Sequence, residues 1–126
     1  MGIKVMFNIL VVEDHPNNME LIVEILNNNG FIIDMAENGK EAVEKAERKI
    51  YDLILMDIEL PEMNGIVATK LIKSKPEYKD KPVIALTAYA MKGDKEKFLS
   101  EGFDDYISKP IDISEFIKKV EKYCNL

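Results

Sequence analysis

Asp57 closes the apolar run Leu53-Ile54-Leu55-Met56, so a carboxylate is delivered at the end of a buried segment. An earlier run, Asn8-Ile9-Leu10-Val11-Val12, ends in Glu13-Asp14; a third, Val83-Ile84-Ala85-Leu86, ends in Thr87. A fourth, short run ends near Lys109-Pro110. Strands of a buried parallel sheet read this way when their carboxyl edge carries the reactive groups. Ionised carboxylates ~4 Å apart repel by about 4 kcal/mol per pair at an effective dielectric of 20. A bound Mg²⁺ (or Mn²⁺) relieves that repulsion, since one or two carboxylates plus water and phosphate oxygens suit its octahedral shell. Asp57 then has the chemistry of a carboxylate nucleophile forming an acyl phosphate. Lys109 would pair with one phosphoryl oxygen and the Thr87 hydroxyl would bond another.

The elements between these residues must bring them to one edge. After Asp14, Pro16 suits a first helical turn, and Met19, Ile22, Val23 and Leu26 follow as one stripe. Asn27-Asn28-Asn29-Gly30 is a stop signal, with Gly30 placed for the left-handed residue after a helix. Residues 31–36 form a second strand. Asn38 with Glu41 three residues on resembles a capping box, opening a helix that buries Ala42, Val43 and Ala46. A third helix is expected over residues 66–74, ending before Pro76. A fourth, over 92–101, has only Met91, Phe98 and Leu99 to bury, which predicts a loosely held element. A fifth strand, Asp105-Tyr106-Ile107-Ser108, precedes a helix opened by Asp112 with the stripe Ile113, Phe116, Ile117, Val120 and Cys124.

Five strand–helix units with short connections predict one α/β domain over residues 1–126 (core about 8–125): a doubly wound five-stranded parallel sheet, flavodoxin-like, with strand order 2-1-3-4-5 and five helices. The order sets the first strand beside the third, and so Glu13-Asp14 beside Asp57.

Composition narrows the function classes. A net charge of −6 with scattered lysines argues against nucleic acid as a direct ligand. No apolar stretch approaches the ~20 residues of a membrane span, and residues 1–7 lack a signal peptide's apolar run. The single cysteine, Cys124, excludes an internal disulfide and fits a reducing, cytoplasmic setting. A flavodoxin-like cofactor site is disfavoured, because the first strand's loop reads Glu-Asp-His-Pro-Asn where a flavin phosphate needs Gly, Ser or Thr. An aspartyl-phosphate phosphatase is disfavoured too, since Glu59 stands where such enzymes usually carry a second Asp.

Together, Val11-Val12-Glu13-Asp14, the segment from Leu55 to Gly65 around Asp57, Thr87-Ala88 and Lys109-Pro110 resemble the receiver domains of two-component response regulators. The resemblance covers nearly the whole chain. It implies a phosphorylation-dependent switch rather than an enzyme with its own substrate, with Asp57 as phospho-acceptor. Mg²⁺ is implied on the side chains of Asp14 and Asp57 and on the Glu59 backbone carbonyl, with Glu13 acting through water. Lys109 and Thr87 would hold the phosphoryl group, near the backbone N–H groups of Ile58 and Ala88, and the Lys109–Pro110 peptide would be cis. Tyr106 matches the switch aromatic that answers Thr87, with output through the fourth helix, fifth strand and fifth helix. The implied partner is a histidine kinase or phosphotransfer protein, and the domain would be monomeric or weakly dimeric. Residues 14–19 and 85–94 resemble receivers of hybrid kinases and stand-alone phosphorelay regulators more than those of transcription factors. No linker follows the last helix, so stand-alone action is the simplest expectation, with a receiver excised from a hybrid kinase or larger regulator as the alternative. His15, the only histidine, is expected to rim the site without a catalytic role.

Overall fold

The computed structural model describes residues 7–88 and 94–124. Its strands are β1 (Asn8–Val12), β2 (Ile32–Ala36), β3 (Leu53–Asp57), β4 (Val83–Thr87) and β5 (Asp105–Ser108). Its helices are α1 (Pro16–Asn28), α2 (Gly39–Arg48), α3 (Gly65–Lys73), α4 (Asp94–Ser100) and α5 (Ile113–Tyr123). The sheet is parallel throughout, in the order β2-β1-β3-β4-β5. Residues Met1–Met6, Met91 and the expected helix start at Lys92 lie outside the described residues. None of the described helices is long and apolar enough to cross a membrane.

Local chemistry accounts for the helix boundaries. Asn38, Asn64 and Asp112 cap α2, α3 and α5, each side chain accepting from the backbone N–H three residues on. Pro16 opens α1, where its missing N–H would have had no intrahelical partner. Gly30 follows α1 with φ 85°, a conformation open to glycine and strained for other residues.

The sheet divides the interior. Leu10, Val12, Ile54, Met56 and Ala85 face one side, where Ala42, Ala46, Ala68, Ile72 and Phe98 cover them from α2, α3 and α4. Ile9, Val11, Leu53, Leu55 and Ile84 face the other, under Met19, Ile22 and Leu26 of α1 and Phe116 and Val120 of α5. β1 and β3 are thus covered on both faces, which is why they read as continuous apolar runs.

Three expectations about the core need correction. Ile113 is 55% exposed and Leu99 47% exposed, so neither belongs to its helix's buried face. Ile113 is the first residue of α5, before the helix has turned onto the sheet. In α4 Phe98 alone is buried. Val43 is half-buried, packed against the α2–α3–α4 side rather than within it. A further element, the 3-10 turn Pro76–Tyr78, follows α3. It buries Tyr78 completely, and that hydroxyl accepts from Tyr51 N–H (3.0 Å) and donates to the Lys49 carbonyl (2.7 Å).

Candidate functional site

Parallel register brings the strand ends to one edge. Val12 lies beside Met56 and Asp57 beside Leu86, while Thr87 pairs with Ser108, one residue before Lys109. The Lys109 N–H donates to the Thr87 carbonyl at 2.8 Å, and the Lys109–Pro110 peptide is cis. Gly65 lets the next helix start this close, because a Cβ there would collide with the Asp57 carbonyl.

Asp57 is 1% exposed. Its Oδ2 accepts from Lys109 Nζ at 2.9 Å, and its Oδ1 accepts from the Glu59 N–H at 2.9 Å. Lys109 Nζ also lies 2.8 Å from Oε1 of Glu13, itself 1% exposed, an ion pair without hydrogen-bond alignment. Glu13 Oε2 accepts from the His15 N–H at 3.1 Å. Burial pushes the Glu13 carboxyl above its ordinary range, against the pull of Lys109. Burial alone would lower Lys109, but the Glu13 and Asp57 carboxylates override it and hold the ammonium above its usual value.

Two carboxylates, Glu13 and Asp57, share the Lys109 ammonium, and a third, Asp14, stands beside Glu13 with no ion pair to a lysine among the described residues. Asp14 Oδ1 is buried and has no hydrogen-bond partner among the described residues. Ligand atoms of Glu13, Asp14 and His15 come within 4.8 Å of one another. An orphaned carboxylate oxygen in an acid-rich site fits a hard divalent cation such as Mg²⁺.

Sequence reasoning gave the Glu59 side chain no contacts. Its carboxylate reaches over the cleft, accepting from Thr87 Oγ1 at 3.5 Å and from the Ala88 N–H at 3.4 Å. Two of the donors expected to meet a phosphoryl group therefore face an internal anion. The only signal for this was the acidic residue two places after Asp57. The Ile58 N–H does not face the cleft as expected. It donates to the Leu86 carbonyl at 3.1 Å, continuing the β3–β4 ladder, and the Glu59 N–H is the one turned to the Asp57 carboxylate. His15, Asn18, Asp57, Glu59, Ala88, Lys109 and Pro110 line a cleft of about 430 Å³, so His15 does rim the site.

Tyr106 pairs with Ala85, two residues before Thr87, which places the Thr87 and Tyr106 side chains on the same face of the sheet. Tyr106 is half-buried; its ring lies 5.2 Å from that of Phe98 and 5.0 Å from Lys119 Nζ. Asp105, 3% exposed, anchors this strand. It accepts from the Tyr106 N–H (2.8 Å) and the Tyr123 hydroxyl (3.0 Å), and pairs with Lys119 (3.3 Å).

This fold, with its acidic edge, is that of a receiver. The chain belongs to the response regulator receiver domain family, which it matches over residues 9–121. It is 42% identical over 116 residues to the polar-differentiation response regulator DivK of Brucella anthropi, covering 92% of this chain and 94% of that one. It is 43% identical over 109 residues to the signal transduction histidine-protein kinase BarA of Escherichia coli, covering 86% of this chain but 12% of that protein. Among solved structures, the receiver domain of the sensor histidine kinase PA1611 from Pseudomonas aeruginosa superposes with a TM-score of 0.87 at 38% identity. That match covers 95% of this chain and 98% of the other, and the other structure holds a magnesium ion in its active site cleft.

Proposed function

We propose that this domain is a phosphorylation-dependent switch that accepts a phosphoryl group on Asp57 from a histidine kinase or phosphotransfer protein. The observation that carries the reading is the buried Asp57 carboxylate, 2.9 Å from Lys109 and across a cleft from Thr87 and Ala88. An Asp57 oxygen forms the new O–P bond as the donor's P–N bond breaks, and the imidazole leaves. Lys109, already against Asp57 Oδ2, is placed to follow the developing charge onto a phosphoryl oxygen. The Thr87 hydroxyl and Ala88 N–H offer two further donors once Glu59 yields them. Asp14, Asp57, the Glu59 carbonyl and, through water, Glu13 would hold Mg²⁺ or Mn²⁺, which supplies charge neutralisation for the transferring group.

Receiver domains are signalling domains, and we read this one as catalysing only its own phosphorylation and dephosphorylation. Output passes through α4, β5 and α5, where Thr87 and Tyr106 share a face with Phe98. Similarity to the BarA receiver favours a second setting, in which the same chemistry operates within a hybrid kinase.

Intact mass after incubation with acetyl phosphate tests the reading, with a phosphorylated phosphotransfer protein as second donor. A Mg²⁺-dependent gain of one phosphoryl group, absent in Asp57→Asn, is expected. A gain retained in Asp57→Asn, or none from either donor, refutes the assignment.

A further inference from the structure

A concavity of about 960 Å³ lies between α1 and the outer edge of β2, reaching the start of α2. Its floor is apolar, made by Met19 and Val23 of α1 and Ile33 and Met35 of β2. Met35 is 49% exposed. An apolar floor left in contact with water gains free energy when a partner covers it, and methionine adapts to varied shapes.

The rim carries one sign of charge. Glu20 and Glu24 line the α1 side, with Glu37 and Glu41 opposite. Lys45, the one cation among the described lining residues, is already engaged by Glu41 at 3.4 Å and by the Met35 carbonyl.

The strand edge adds an independent feature. Ile32 N–H bonds the Phe7 carbonyl, and the Ala36 carbonyl accepts from Glu13 N–H, so both residues face inward to β1. Alternation along a parallel strand then turns the backbone groups of Ile33 and Met35 to the outer edge. Lys45 covers the Met35 carbonyl, a common means of blunting an edge, while the Ile33 amide and carbonyl sit beside the apolar floor.

We propose that this groove binds an extended, basic and partly apolar segment of a protein partner. Aliphatic side chains of the segment lie on Met19, Val23, Ile33 and Met35, and its lysines or arginines meet the glutamate rim. Complementary charge selects this occupant. Nucleic acid and anionic lipid surfaces are repelled by the rim, and a cation held at the Glu13–Asp14 end of the groove would leave the apolar floor uncovered. A second copy of the chain would bring another acidic groove and a further charge of −6. The inference stands whether or not Asp57 accepts a phosphoryl group.

The test is an NMR titration of the full chain with a short synthetic peptide alternating Lys or Arg with Leu or Val. Shifts confined to α1, β2 and the start of α2 are expected. Binding weakens about tenfold or more in the exposed pair Glu20→Lys/Glu24→Lys, the scale of lost rim charge pairs. It is unchanged in Glu77→Lys/Asp80→Lys, an equal charge change at exposed positions elsewhere. A peptide with Ser in place of Leu and Val should bind clearly more weakly, since it cannot cover the floor. Shifts scattered over the surface, equal weakening in both double variants, equal binding of the Ser peptide or of an acidic analogue, or no binding at millimolar peptide each overturn the proposal. Sedimentation showing that the groove instead closes a dimer does so as well.

Discussion

Replacing Asp105 with Asn isolates the charge that ties β5 to α5 while keeping the side chain's shape. Three donors converge on this carboxylate: the Tyr106 N–H at 2.8 Å, the Tyr123 hydroxyl at 3.0 Å and Lys119 at 3.3 Å. Burial would raise its pKa, but these three donors outweigh burial and hold it below the ordinary carboxylate range. Truncating one partner of a fully buried pair destabilises by about 3–5 kcal/mol. Lys119 is a third exposed, so solvent screens its share, and Asn keeps one acceptor oxygen. About 1–2 kcal/mol is the expected loss at neutral pH, from one weakened ion pair and one charge-assisted hydrogen bond. The pH dependence gives the sign. A carboxyl with a depressed folded pKa contributes fully above its unfolded value of about 3.9, and loses that contribution as pH falls through the folded value. Urea denaturation of wild type and Asp105→Asn from neutral pH to about pH 3 should therefore show a constant gap down to about pH 5, then convergence. A gap below about 0.5 kcal/mol at neutral pH, or one that persists unchanged into acid, refutes the assignment of this stability to the Asp105 charge.

Tyr78→Phe should destabilise by about 1–3 kcal/mol in urea, because the buried Tyr51 N–H and Lys49 carbonyl both lose their partner; an unchanged midpoint would mean that water replaces the hydroxyl. Gly65→Ala should lower stability by about 1–3 kcal/mol and slow phosphoryl acceptance together, since relieving the collision with the Asp57 carbonyl moves the acceptor itself. Loss of stability with normal phosphorylation by intact mass would show that α3 gives way while β3 stays in place.

The strands that carry the site were legible because burial on both faces leaves little choice of residue: residues 9–12, 53–56 and 83–86 are apolar up to the buried polar residue that follows each run. Caps were legible at Asn38 and Asp112 for a local reason, since the bond spans three residues. What sequence could not give was what stands opposite. Ile32 and Met35 look like core residues, yet β2 is an outer strand and both are exposed, which an apolar run alone does not reveal. Ile113 fits the α5 period and still misses the sheet, because periodicity fixes a direction and not how far the helix end overlaps its support. The pairing of Lys109 with Glu13, and the reach of Glu59 to Thr87, join residues 96 and 28 positions apart, and only the folded register brings them together.

Phe98 is the one buried side chain among the described residues of α4, and it stacks edge-on against Phe103 and tilts against Tyr106. Full burial of an aromatic side chain is worth about 1.5–3 kcal/mol. If that single anchor sets the difference between docked and undocked α4, between about one molecule in ten and one in two hundred holds the helix off the sheet at any moment. A signal arriving at Thr87 then has only to reweight two arrangements that already coexist, and an energy no larger than one good hydrogen-bond network is enough to reverse their order.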